Sequence, residues 1–356
     1  MITRDWAFLA TTLVSCAVAA VVATFQYAVY TSFLITGAIV PHGIAADFWI
    51  KGDTVECFDF PTAIGEDYRE TLARYVPGAH YRRVAFGFVP WRSPTGRLGN
   101  VAIVGVDDAQ VTDTGFMVDH SDLNRLDIGA AASSAIVGTI AYVTLHYEGA
   151  VDTLPMFLGA PYVLVSFETA RHLLGADPSS VAYLAGNYTG HPPGDFDAIA
   201  RDARARFPDI AMVTGPAFEA SSSWYWHKKT GAGTAIFLGA TLASLLTIIL
   251  QTNGILRFVQ RYNPDLLSLL GHGAAEGVIL KIIGGVALCI LVVTLVIALL
   301  VAPLAIWACK SVLPWVIFKP SDILAPLMVS LMSMTVAIVA ARRALTAFGP
   351  EAVFRS

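Results

Sequence analysis

Charged side chains vanish from four long stretches of this chain, residues 7–36, 231–256, 282–309 and 323–341. Each stretch has the roughly 18–20 consecutive, largely apolar residues that a membrane-spanning helix requires. Residues 37–230 between the first and second stretch have the mixed composition of an ordinary globular domain. The pattern therefore predicts an integral membrane protein with four transmembrane α-helices in a one-plus-three layout. A large α+β extracytoplasmic domain is expected between helices 1 and 2. The divisions are 1–40 for the first helix, 41–229 for the aqueous domain and 230–356 for the remaining three helices.

Within the polar segment, alternation and turn residues predict the elements. Residues 48–51 read as a strand, and 64–75 as a helix stopped by Pro77-Gly78. Residues 81–89 and 98–106 flank Ser93-Pro-Thr-Gly and form a hairpin. One or two strands are expected over 135–147, then a strand at 162–166 and a helix at 167–174 ended by Gly175. A further strand is read at 181–184. A helix over 196–207 with Arg201, Arg204 and Arg206 on its outer face, and a strand over 211–214, complete the segment. The irregular alternation predicts small mixed sheets in two subdomains. Residues 218–229 carry no Gly/Ser linker. If helical and continuous with the second span they tie the domain rigidly to it, whereas Ser221–Ser223 offer a hinge.

The second span is rich in small residues suited to close helix approach, serving packing within one chain or a dimer interface. The third is expected to be interrupted at Pro303, and the aromatic connection from Trp307 to Phe318 to lie at the outer interface. Between the second and third spans, residues 265–270 predict a short amphipathic helix, started by Asn263-Pro264 and ended by Gly271.

Composition agrees with this division. The chain is 55% hydrophobic and only 14% charged, and its net charge of −4 argues against nucleic acid as a partner. Of four Cys, only Cys57 lies in the polar segment, so that domain has no internal disulfide. The first apolar run exceeds a signal h-region and is read as a retained anchor. Arg4, Arg257, Arg261, Arg342, Arg343 and Arg355 gather on one side, which sets both termini and the 257–276 connection in the cytoplasm. The large domain then faces the periplasm or outer surface of a bacterial inner (cytoplasmic) membrane.

Chemistry-bearing motifs are absent from the sequence. There is no Gly-Lys dipeptide for a phosphate-cradling loop, no His-Glu-x-x-His, no Gly-x-Ser-x-Gly and no His/Cys cluster. No catalytic residue, metal ligand or cofactor is assigned, and the chain is read as non-catalytic. Asn187-Tyr-Thr matches a glycosylation acceptor, a tripeptide common by chance. His42 and His227 fall at the two ends of the aqueous domain. With Trp224 and Trp226 they are candidate substrate-side residues, able to face each other around a ligand such as heme or simply to populate the interfacial belt.

Three features together resemble the FtsX/MacB-like permeases of ABC transporters, with DevC-type and HrtB-type exporters most similar. The first is the one-plus-three layout. The second is the stretch 261–273, which looks like the family's coupling helix, with Leu266, Leu267, Leu269, Leu270 and Gly271 in register. The third is the ending that begins Arg342-Arg-Ala-Leu and runs through Pro350, similar to the family's tail. Ala23, Phe25 and Gln26 of the first helix also look like the DevC type. Asn263-Pro264-Asp265 departs from the family's usual start, and Ser268 stands where a basic residue is common.

The resemblance implies a permease that works as a homodimer with a separate ABC ATP-binding subunit. Its coupling helix, Asn263, Pro264, Asp265, Leu266, Leu267, Leu269, Leu270 and Gly271, would pass ATPase closure to the outer domain and drive export of a hydrophobic or amphipathic substrate. A periplasmic membrane fusion protein and an outer-membrane channel are further implied partners, beside the lipid bilayer itself. An FtsX-like signalling subunit that regulates cell-wall hydrolases is the alternative, and a sensor without an ATPase is a third reading. Replacing Leu266 and Leu270 by Asp is expected to uncouple the ATPase without unfolding the chain.

Overall fold

The computed structural model describes residues 6–129, 137–157, 159–310 and 312–347. The chain divides into two compact units, Phe33–Ala232 and the combination of Met1–Ser32 with Gly233–Ser356. Four of its helices are long and apolar enough to cross a membrane, over Ala7–Thr36, Ala232–Arg261, Glu276–Ala308 and Pro320–Arg343. With the mixed sheet domain described below, they make the one-plus-three membrane architecture expected from the hydropathic pattern.

In the unit Phe33–Ala232, helix α1 (Trp6–Thr36) ends and a short helix α2 (Ile39–Ile44) follows. The strands are β1 (Phe48–Gly52), β2 (Ile64–Gly65), β3 (His80–Arg92), β4 (Leu98–Val106), β5 (Gly115–Asp119), β6 (Val137–Ile140), β7 (Val143–Val151), β8 (Tyr162–Ser166), β9 (Ser180–Val181), β10 (Tyr183–Asn187) and β11 (Ile210–Thr214). Helices α3 (Tyr68–Leu72), α4 (Phe167–Leu174), α5 (Phe196–Arg206) and α6 (Gly215–Lys228) intervene. Nine strands form one sheet in the order β11-β1-β10-β3-β4-β8-β5-β7-β6, and β6 pairs back onto β3. The last six strands of that order therefore close into a ring.

Two sheet regions share one strand instead of forming separate subdomains. The first half of β3 pairs with β10, Tyr183 opposite Val84 and Asn187 opposite His80. Its last residues pair with β6, Trp91 opposite Ile140 and Arg92 opposite Thr139. At 13 residues β3 is long enough to serve both. The expected two-subdomain division is corrected on this point, because a common strand joins the ladders.

Burial explains the sequence pattern. Val101–Val106 of β4 are buried without alternation, as in a strand covered on both faces. Helix α4 covers one of them. A Cβ added to Gly105 would come within 2.2 Å of the Ala170 side chain, so only glycine lets this helix lie so close to the sheet. Ser166 caps α4 by accepting from Thr169 N at 3.2 Å, and Gly175 ends it at φ +60°. The expected helix over 64–75 shrinks to Tyr68–Leu72, because Ile64 pairs with Val181 in a two-stranded ribbon. Arg201, Arg204 and Arg206 are exposed on α5, as their spacing predicts, and Arg204 pairs with Asp53 at 2.6 Å.

The other unit contains residues 6–32 of α1 with α7 (Ala232–Arg261), α8 (Asn263–Gly271), α9 (Glu276–Ala308) and α10 (Leu324–Ala347). Polar residues inside the apolar helices are satisfied between neighbours. Thr247 donates to the Ala19 carbonyl at 3.1 Å, and Gln251 Nε2 to Ser330 Oγ at 3.1 Å. Thr31 donates to Asp322 at 2.9 Å. Helix α9 continues through Pro303 to Ala308, so the expected interruption does not occur. Proline costs that helix one backbone bond, which a helix of 33 residues tolerates.

Helix α6 is not continuous with α7. Its last backbone bond runs from Lys229 N to the Tyr225 carbonyl, Gly231 takes φ +71°, and α7 starts at Ala232. Two of the serines offered as an alternative hinge anchor α6. Ser222 is fully buried and accepts from Phe58 N at 3.2 Å, while Ser223 donates to the Leu34 carbonyl at 2.6 Å.

Candidate functional site

The connection between α7 and α9 folds into α8, nine residues long. Pro264 sits in its first turn, where its missing N–H costs nothing, and Asp265 in the same turn complements the helix dipole. The helix stops in a glycine-terminated motif. Ala274 N donates to the Leu269 carbonyl at 3.0 Å and Gly273 N to Leu270 at 2.9 Å, with Gly273 at φ +89°. Gly271 is the last helical residue and not the stop. The left-handed position two residues on is what ends the helix.

The leucines of α8 have two different environments. Leu266 is buried among Ile255, Val259, Ile279, Ile283 and Ala341, and Leu270 packs on the same cluster. Leu267 and Asn263 are half-buried. Pro264, Asp265, Ser268, Leu269, Gly271 and His272 are exposed, Leu269 at 42%. Their spacing of three and four places Asp265, Ser268, Leu269 and His272 on one side of the helix. The outward face thus includes two residues, Ser268 and His272, that the leucine register overlooked. The signal was their offset from Leu266 and Leu270. Around the helix, Arg261 lies over the Phe8 ring at 5.2 Å and Arg342 pairs with Glu276 at 3.5 Å.

The four candidate substrate-side residues separate. His42 is exposed and its Nδ1 lies 3.1 Å from Glu219 Oε2 on α6. His227 stacks on Trp224 at 5.0 Å and 24°, and Lys228 Nζ lies 4.7 Å from the same ring. Glu219 and His227 are eight residues apart on one helix, about 12 Å along its axis, so the two histidines have different partners. Among the described residues no group of three or more His, Cys, Asp or Glu is placed to hold a metal ion.

Trp226 instead points into the protein. Its indole donates to Asp59 Oδ2 at 2.8 Å, Tyr162 donates to Asp59 Oδ1 at 3.3 Å and the Cys57 thiol to Oδ2 at 3.6 Å. Tyr183 donates to the neighbouring Phe58 carbonyl at 2.7 Å. Burial raises the Asp59 carboxyl above its ordinary range, and the donors from Trp226, Tyr162 and Cys57 pull it partly back. Burial likewise pushes the Cys57 and Tyr162 groups up, so neither ionises as a nucleophile or base. This cluster binds α6 to β8 and to the loop after β1. Asn187 is similarly committed, its amide accepting from Arg82 at 2.8 Å and donating to the Ala45 carbonyl at 3.0 Å.

Compared by sequence, the chain matches no protein-family model and no curated protein. Compared by structure, it is similar to the periplasmic region of MacB from Actinobacillus actinomycetemcomitans. That match has a TM-score of 0.37 and 6% identity, and covers 48% of this chain and 90% of the other. It is also similar to the extracellular domain of the noncanonic ABC-type transporter YknZ from Gram-positive bacteria. There the TM-score is 0.33 at 10% identity, covering 48% of this chain and 99% of that domain.

Proposed function

We propose that this chain is the permease subunit of an ABC transporter and that α8 is its coupling helix. The supporting observation is the double character of α8, a short helix between two membrane-length helices. Leu266 is sunk in the bundle core, and Asp265, Ser268, Leu269 and His272 are left open. A partner pressing on that face would push directly on the α7, α9 and α10 residues that surround Leu266. In this reading the termini and α8 lie in the cytoplasm of a bacterial inner membrane, and residues 41–229 lie outside. ATP is hydrolysed on a separate subunit, two permease copies act together, and the substrate is hydrophobic or amphipathic.

The test is made on the full-length chain together with whichever nucleotide-hydrolysing protein is captured with it from its native membrane. Leu269→Asp is expected to lower substrate-stimulated ATP hydrolysis at least about tenfold, the usual scale for a lost interface anchor. The melting temperature in detergent should stay that of the parent. Full stimulation and export by Leu269→Asp would remove α8 as the coupling element, and failure to capture any nucleotide-hydrolysing partner would end the ABC reading.

A further inference from the structure

Where α1 begins and α7 ends, their facing sides enclose a groove of about 250 Å³. Its floor is a close helix contact, since a Cβ on Gly254 would come within 2.8 Å of the Thr12 side chain. One wall carries the hydroxyls of Thr11 and Ser15 and the other the side chains of Asn253 and Arg257. Arg257 lies four residues from the end of α7 and Thr11 five from the start of α1, about 6–8 Å inside the helix ends. That is the depth of the polar headgroup layer, which occupies about 5–8 Å on each side of the hydrocarbon core.

The neighbouring cations are already engaged. Arg261 lies over Phe8 and Arg342 pairs with Glu276. Among the described residues, Arg257 and Asn253 make no hydrogen bond or ion pair, and both are exposed along the groove. Among the described residues no carboxylate lines the groove. It therefore offers a fixed positive charge, an amide donor and two hydroxyls. Those hydroxyls now donate to carbonyls of their own helix, Thr11 to Phe8 at 2.9 Å and Ser15 to Thr11 at 2.8 Å, and each can turn outward. A guanidinium beside neutral donors is the chemistry that receives a phosphate oxygen. Basic pockets between helices at this depth take anionic lipid headgroups.

The geometry points to a binding site for a phosphate-bearing anion in this groove, a negatively charged phospholipid headgroup held by Arg257 and Asn253 with Thr11 and Ser15. The site stands apart from the coupling face of α8 and does not depend on an ATPase partner. It gives the bundle a means of responding to the charge of the surrounding lipid.

Native mass spectrometry of the full-length chain released from detergent tests it, with phosphatidylglycerol, phosphatidylcholine and inorganic phosphate as probes. Phosphatidylglycerol should be retained about five- to tenfold better than phosphatidylcholine, the scale of one charge-assisted contact. Arg257→Gln should abolish that preference and Arg342→Gln should keep it, both with the melting temperature of the parent. Inorganic phosphate that binds by itself and displaces the lipid would sustain the anion site and assign it to a soluble ligand. Equal retention of the two lipids by the parent chain would overturn the proposal, as would an unchanged preference in Arg257→Gln. A disulfide-linked dimer formed by Ser15→Cys but not by the parent under the same oxidation would also overturn it, because a second copy then fills the groove.

Discussion

Single residues in the sheet unit are held by burial and direct donors. Asp122, on the 3₁₀ turn His120–Leu126, has a side chain with no exposure, accepts from Met156 N at 2.6 Å and lies 3.5 Å from Arg125. Burial, the first cause, pushes its carboxyl up to about 6. A carboxyl raised on folding favours the native state while protonated, so its contribution is complete below about pH 4 and lost as pH rises through 6. Stability of the full-length chain measured by denaturant titration should fall by about 2 kcal/mol between pH 4 and 6 from this group. Asp122→Asn should flatten that interval while keeping the Met156 bond. Asp59 makes a different prediction. Asp59→Ala leaves the Trp226 indole and the Tyr162 hydroxyl buried without an acceptor, at a cost of about 3 kcal/mol. A shift of the denaturation midpoint by less than a third of that would show that the cluster contributes little. The two residues were not equally visible in advance. Nothing in Cys57-Phe-Asp-Phe distinguishes a buried carboxyl from a surface one, since its ring donors Tyr162 and Trp226 lie 103 and 167 positions away.

At the scale of elements, local chemistry decided what could be read. Helix α4 was placed at its observed limits, because its cap, Ser166, and its stop, Gly175, adjoin it in sequence. The helix expected over 64–75 was too long, because Ile64 has its strand partner 117 residues downstream. Helix α8 shows both sides of this. Its existence followed from Asn263-Pro264 and the leucine spacing, but which leucines face the bundle did not. Leu266→Asp and Leu270→Asp were expected to uncouple a folded chain; Leu266 is instead in the core at 3% exposure. Leu266→Asp should cost several kcal/mol, about 3 or more for an unpaired buried carboxylate, and lower the melting temperature in detergent. Leu269→Asp at the exposed position should leave it unchanged. Equal melting of the two variants would contradict the two-sided burial of α8. The tail that follows Arg342 in the sequence resemblance lies, from residue 348 onward, outside the described residues.

For the whole molecule, the proposed arrangement makes a prediction of sidedness. A membrane-impermeant thiol reagent applied to intact cells should label Leu98→Cys, at a position 72% exposed in the sheet unit. It should label His272→Cys beside α8 only after permeabilisation. The reverse result would invert the topology and remove α8 from the reach of cytoplasmic ATP. The four apolar runs, their one-plus-three distribution and the presence of an α+β unit were determined by the sequence itself. Transferring uninterrupted apolar length out of water is a property of composition, and it needs no knowledge of which segments meet. Only the tertiary structure decided that β3 joins two ladders, that Trp226 closes on Asp59, and that α6 ends before α7. It also decided that Arg257 borders an open groove while Arg261 lies over the Phe8 ring. Each of these depends on a partner far away in the chain, and the identity of that partner is set by packing, not by neighbouring residues.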